Sequence, residues 1–167
     1  MGAWDDAYAS SFESAWQRWP HGDWLVPLVY AARENDDRLA RALLAFARER
    51  ASSTPDEDAA LAVLEVAEAT LAGHIEKDVC KRVADNLRVE AFETALRDQR
   101  FDRYFGAHCI SAAARLAANV HDPRSAKDAV EVIQAAVRQS VACSSPNDAD
   151  AVRHQAATRI RGAIPAP

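Results

Sequence analysis

Residues 19–32 read WPHGDWLVPLVYAA and place a turn directly before a run of large apolar side chains. Pro20 and Gly22 interrupt the helical pattern that precedes them. Asp23 has the short acceptor side chain that satisfies free N–H groups at the start of a helix. The stretch therefore predicts a structural motif in which Gly22 forms the turn, Asp23 caps the helix and Trp24 anchors it in the core.

Apolar residues at helical spacing continue on both sides of this motif, so we expect helices along the whole chain. Thr54, Pro55 and Glu57 form a capping-box pattern and predict the start of a helix that reaches about residue 73. Residues 74–100 fit either one long helix or two helices with a bend. No segment alternates apolar and polar residues, which excludes a predicted sheet. The fold class is therefore all-α.

Seven or eight helices joined by short polar turns predict a compact bundle of antiparallel neighbours, with stacked helical hairpins as the alternative. The chain of 167 residues is expected to form a single domain, 1–167, since a domain of about 150 residues buries roughly 70% of its unfolded surface. Acidic residues stand where a signal peptide would carry positive charge, and no apolar run has the length of a membrane span. These features predict a cytoplasmic protein that does not enter the membrane.

The sequence offers no recognisable catalytic or metal-binding motif. None of its five histidines follows a glutamate by three residues, and neither HExxH nor GxSxG occurs. The three cysteines fall in apolar helical patterns and are interpreted as small buried thiols, although a pairing of Cys109 with a histidine remains conceivable. Net charge is −5 and no helix carries a basic stripe, which disfavours nucleic-acid binding. We therefore predict a protein that is no enzyme and needs no cofactor or metal.

Charge is distributed unevenly along the chain. Residues 1–80 carry 15 Asp and Glu against 7 Lys and Arg, a balance of −8, whereas residues 81–167 carry 10 against 13, a balance of +3. One interpretation is the preference of acids for helix starts. The other is a surface that docks a basic partner and speeds the encounter with it. The candidate partner-binding residues are Glu34, Asp36, Asp37, Asp56, Glu57, Asp58, Glu65 and Glu68.

The segment 20–25, PHGDWL, followed by the pair Asp37-Arg38 and an alanine-rich helix, resembles the immunity proteins of bacterial polymorphic toxin systems. Residues 153–161, RHQAATRIR, with Ile164-Pro165 just beyond them, are similar to the closing helix of that family. The resemblance implies an all-α protein that binds and neutralises a cognate toxin and catalyses nothing. The motif positions that carry over, Gly22, Asp23 and Trp24, have structural roles.

The first functional hypothesis is thus an immunity protein whose acidic half covers a basic toxin. A nuclease is such a toxin, because its active groove binds phosphates with cationic side chains. A helical small-molecule-binding protein or enzyme with an interhelical pocket is the second hypothesis. A helical adaptor between other proteins is the third. An interhelical cleft with converging polar groups would favour the second hypothesis, and a broad acidic surface would favour the first.

Overall fold

A computed structural model describes residues 13–32, 36–122, 125–143 and 148–164. The described residues are helical almost throughout and contain no strand, which confirms the all-α prediction. None of the described helices is both long and apolar enough to cross a membrane. The helices are α1 (13–18), α2 (Gly22–Ala32), α3 (Asp36–Arg48), a 3-10 turn (Ala51–Ser53), α4 (Glu57–Leu71), α5 (Lys77–Asp98), α6 (Phe101–Ala118), α7 (Ala126–Cys143) and α8 (Asp148–Ala163).

Helix α6 lies at the centre of the fold and packs against α3, α4, α5 and α7. From Gly106 to Ala118 every residue except His108 and Arg115 is buried, and six of these eleven buried residues are alanine, which lets the neighbouring helices approach closely. A helix that is apolar on all sides is typical of the interior of a domain. Because α8 also contacts α2, α3 and α7, the helices form a compact bundle and not a linear stack of hairpins.

Residues 74–100 form a single helix, α5, and not two. The helix runs without interruption from Lys77 to Asp98 and ends where Gln99 adopts a left-handed conformation with φ 54°. That conformation cannot continue a helix, and it turns the Gln99 N–H onto the Ala95 carbonyl. The C-terminal residues of α5 therefore set the direction in which α6 begins.

The start of α4 differs from the capping-box prediction. The helix begins at Glu57, and Asp56 is its N-cap, with one carboxylate oxygen accepting from the Ala59 N–H at 2.9 Å. Thr54 is buried and donates instead to the carbonyls of Ala51 and Asp56. The Thr54 hydroxyl thus donates to one carbonyl in the 3-10 turn and to the carbonyl of Asp56 itself, so the free N–H groups of the helix are left to the Asp56 side chain.

The motif at the start of α2 also differs from the prediction. Gly22 is the first residue of the helix and is buried, Asp23 lies within the first turn, and Trp24 is 48% exposed. A Cβ atom on Gly22 would lie 2.7 Å from the Ala156 Cβ and 2.8 Å from the Ala157 backbone nitrogen. This close approach of α2 to α8 needs a glycine, and it rotates Trp24 away from the core.

We expect Gly22→Ala to lower the free energy of unfolding by roughly 1–3 kcal/mol, because the new methyl group meets the backbone of α8, which cannot yield as a side chain would. Gly162→Ala is the matched control, since nothing lies within 4 Å of its Cβ position. That substitution should leave stability unchanged or raise it by up to about 1 kcal/mol. Urea denaturation measures both, and equal stability of the two variants would contradict the close packing at Gly22.

Candidate protein-binding surfaces

The first candidate surface is the acidic face of α4, which consists of Glu57, Asp58, Glu65 and Glu68. The helix contains these four acidic residues and no basic residue, and all four are exposed. Successive residues of an α-helix are rotated by about 100°, so these four positions fall within a sector of about 100°. Ala60, Val63, Leu64 and Ala67 are the buried residues that face the core.

Most charges on this face have no counter-ion. Glu68 pairs with Arg48 of α3 at 2.8 Å. By contrast, Glu57, Asp58 and Glu65 form no ion pair with any residue in the described part of the chain. Three carboxylates therefore project into solvent from one side of one helix without an ion-pair partner among the described residues. The nearest basic groups shown at this face are Arg41 and Arg48 of α3, which line a groove with Glu68.

The remaining predicted partner-binding residues divide into three cases. Asp56 lies directly before the acidic face, but its carboxylate is engaged in capping α4. Asp37 is exposed on the first turn of α3, and no hydrogen bond or ion pair among the described residues joins it to α4. Asp36 begins α3, while its side chain and all of Glu34 lie outside the described residues. The structure thus brings Asp56, Glu57, Asp58, Glu65 and Glu68 together and leaves Asp37 on another helix.

The second candidate surface is apolar and lies on α5 and the start of α6. Its residues are Val89, Phe92, Leu96 and Phe101, all of them exposed, with Leu96 at 56%. Phe92 stacks edge-on against Tyr104 with ring centroids 5.4 Å apart, beside a groove of about 400 Å³. Phe92 and Leu96 continue the apolar pattern of α5, yet both are exposed, because the start of α6 covers that side of α5 only in part.

The third candidate surface is an aromatic cluster at the start of α2, formed by Trp19, His21 and Trp24. The ring centroids of His21 and Trp24 lie 4.5 Å apart, and those of the two tryptophans 6.3 Å apart. His154 of α8 extends the cluster, with its ring 5.5 Å from that of His21. Exposed tryptophans are typical of the residues that dominate binding energy in protein interfaces.

We expect Trp24→Ala to lower the free energy of unfolding by less than about 1 kcal/mol, because changes at exposed positions have small effects on stability. The buried neighbour Leu25 is the control, and Leu25→Ala should cost about 2–5 kcal/mol through the cavity it leaves. Thermal and urea denaturation compare the two variants. A loss of similar size at Trp24 would place its ring in the core after all.

The described residues do not bring together an obvious catalytic or metal centre. No group of three His, Cys, Asp or Glu side chains among them is arranged to hold a metal ion. Cys109 is buried, and desolvation raises the pKa of its thiol to about 12, so it is not a thiolate nucleophile at neutral pH. Burial also lowers the pKa of His108, although Glu131 at 3.5 Å opposes this shift.

The cysteines follow the prediction of small buried thiols in two cases out of three. Cys80 and Cys109 are buried, and the Cys80 thiol donates to the Ala114 carbonyl of α6 at 3.3 Å. Cys143, in contrast, is exposed at the C-terminal end of α7. The last three residues of α7, 141–143, are all exposed, so the buried face of this helix ends before Cys143.

Comparisons of the chain with models of protein families, with curated proteins and with solved structures give no match. The features of the molecule that bear on its function are therefore the three surfaces described above and the resemblance in residues 20–25 and 153–161.

Proposed function

We propose that this protein is a cytoplasmic immunity protein that binds and neutralises a cognate bacterial toxin, with the acidic face of α4 against a basic surface of that toxin. The observation that carries the proposal is the set of three exposed carboxylates, Glu57, Asp58 and Glu65, that have no ion pair with any described residue. The sequence resemblance to immunity proteins points in the same direction.

Physical chemistry explains why such a face suits protein binding. An exposed charge without a counter-ion costs the free protein little, since surface ion pairs contribute only about 0–1 kcal/mol. The summed potential of several like charges attracts an oppositely charged partner and raises its association rate about 10- to 1000-fold. A nuclease is the expected kind of toxin, because a protein that binds phosphates exposes cationic side chains.

The apolar surface on α5 and α6 supports a protein as the partner. Four exposed large apolar side chains on adjacent helices are typical of interaction surfaces. Residues 72–76 connect α4 to α5 directly, so the acidic and apolar surfaces belong to neighbouring helices. Charge would then guide the encounter, and apolar burial would slow dissociation.

The alternative of an adaptor between other proteins uses the same surfaces, and only the identity of the partner separates it from an immunity protein. The test is the product of the gene immediately upstream in the source genome. If that product is a toxin, its expression should stop bacterial growth, and co-expression of this protein should restore growth through a complex that survives purification. Growth arrest despite co-expression, with no complex formed, would reject the immunity function.

A further inference from the structure

The apolar surface of α5 and α6 forms one continuous stripe. Val89, Phe92 and Leu96 recur at helical spacing within a sector of about 60° of α5. Phe101 extends the stripe at the start of α6, with its ring centroid 6.4 Å from that of Phe92. All four side chains are exposed, Phe101 at 41% being the least exposed and Leu96 at 56% the most. Contiguous apolar residues of this kind on a surface are typical of an interface with another protein.

Two residues of opposite charge, Glu93 and Arg97, border this stripe on one flank of α5. They are four residues apart, so they lie about one helical turn from each other on the same side of the helix. Both are exposed, and neither forms an ion pair with a described residue. The flank therefore presents a negative and then a positive charge along the helix, each without a counter-ion among the described residues.

A two-fold axis brings two such flanks together with their charges matched. When two copies of α5 pack antiparallel about a two-fold axis perpendicular to both helices, the same flank of each copy meets, with its direction reversed. An axis level with residue 95, midway between the two charges, places Glu93 of each copy opposite Arg97 of the other. Leu96, the most exposed residue of the stripe, then lies beside the axis and packs against its own counterpart.

We propose that the apolar surface of α5 and α6 binds a second copy of this chain in an antiparallel two-fold dimer. Four large apolar side chains and a short charged rim are fewer than the roughly 20–30 residues a side of a stable interface, so the dimer should dissociate with a constant in the micromolar range. The proposal concerns the protein by itself and does not rest on the toxin-binding function. A toxin that binds to the same surface would replace the second copy.

The charges on the rim match a second copy better than a partner of uniform charge. The acidic face of α4 has a single sign, so it attracts a basic protein and repels another copy of itself. Beside the stripe of α5, in contrast, a purely basic or purely acidic partner would meet one favourable and one unfavourable charge. A surface with the same two charges in reverse order satisfies both, and the two-fold symmetry of a dimer supplies that surface.

Sedimentation equilibrium of the purified chain between about 1 and 500 μM tests for the dimer. We expect the mass to rise from that of one chain to that of two. Leu96→Arg puts two like charges beside the axis and should weaken self-association roughly tenfold or more. Ala151→Arg is the matched control, because it adds the same charge at an exposed position of α8, which packs against α2, α3 and α7, and it should leave self-association unchanged. A mass of one chain at every concentration, or a mass that rises beyond two chains, would overturn the proposal.

The variants Glu93→Arg and Arg97→Glu test whether the two flanks face each other. Each variant alone opposes like charges at two points of the interface and should weaken self-association about fivefold or more. An equimolar mixture of the two restores both pairs, since one copy then carries two arginines and the other two glutamates. The mixture should therefore associate with a dissociation constant within about twofold of that of the original chain. Both residues are exposed, so both variants should fold. If the mixture associates no better than the single variants, the flanks do not meet and the proposal is wrong.

Discussion

Replacement of Phe46 by alanine is expected to lower the free energy of unfolding by about 3–5 kcal/mol. Phe46 lies on α3 and is completely buried in the hydrophobic core. The guanidinium of Arg50 also lies over this ring, and its central carbon is 3.8 Å from the ring centroid. The substitution therefore leaves a cavity in the core and removes a cation–π contact of about 0.5–2 kcal/mol. Because a domain of this kind is stable by only about 5–15 kcal/mol, the loss is a large part of the total.

Urea denaturation of four proteins measures this effect: the original chain, Phe46→Ala, Arg50→Met and the double variant. The coupling free energy between the two substitutions measures the free energy of the contact between the ring and the guanidinium, separately from the cost of the cavity. Val141→Ala is a control at an exposed apolar position and should change stability by about 0.5 kcal/mol at most. A loss below about 1.5 kcal/mol for Phe46→Ala would contradict its place in the core.

The double reversal Asp58→Lys with Glu65→Lys is expected to slow association with a basic toxin at least tenfold. Tenfold is about the smallest gain in association rate that electrostatic steering gives. The two residues lie about 20° apart at one edge of the acidic face of α4, so the reversal places two positive charges side by side there. Neither residue forms an ion pair with a described residue, so their packing does not depend on charge. Loss of Asp58 from the first turn of α4 should cost the helix only about 0.3–1 kcal/mol.

Glu90→Lys with Asp98→Lys is the matched control, because it changes the net charge equally at exposed positions of α5. Stopped-flow association rates should differ between the two double variants at low salt and converge at high salt. At physiological ionic strength the Debye length is about 8 Å, and steering is already partly screened. Equal slowing by both variants would assign the effect to net charge, and no slowing by either would exclude docking through the acidic face.

Helix positions were predictable because spacing and caps are local properties of a sequence. The continuous apolar pattern of residues 77–98 is sufficient for α5, although only the structure shows that it does not bend. The start of α4 was misplaced because Thr54 and Asp56 are both good capping residues. Thr54 does not cap the helix, because its hydroxyl donates to the carbonyl of Ala51 in the 3-10 turn and to the carbonyl of Asp56.

The faces of the helices were harder to predict than their positions. In α2, Leu25, Val26 and Val29 are buried while Trp24 is exposed, yet all four are apolar and suit a core. The contact of Gly22 with α8 determines which face of α2 points to the core. This contact joins distant parts of the chain, so the local sequence pattern of α2 does not show it. Phe92 of α5 illustrates the same limit, because spacing identifies an apolar face without showing whether another helix covers it.

The candidate surfaces were predictable to different degrees. Clustering of acids in residues 56–68 follows from the sequence because these residues share one helix. The groove beside Arg50 is not predictable in this way, because Gln139 and Gln155 line it from helices far along the chain. An arginine at the end of an apolar helix is typical of a capping residue, and its contact with Gln155 is visible only in three dimensions.

The two sides of α4 are physically independent, and this has an evolutionary consequence. Val63 and Leu64 are buried and fix how the helix fits the core, whereas Asp58 and Glu65 are exposed and form no ion pair with a described residue. Charged residues on the exposed side of α4 can therefore be exchanged one by one during evolution without changing the packing of the core side chains. Recognition of a new partner and retention of the bundle would then be under separate selection.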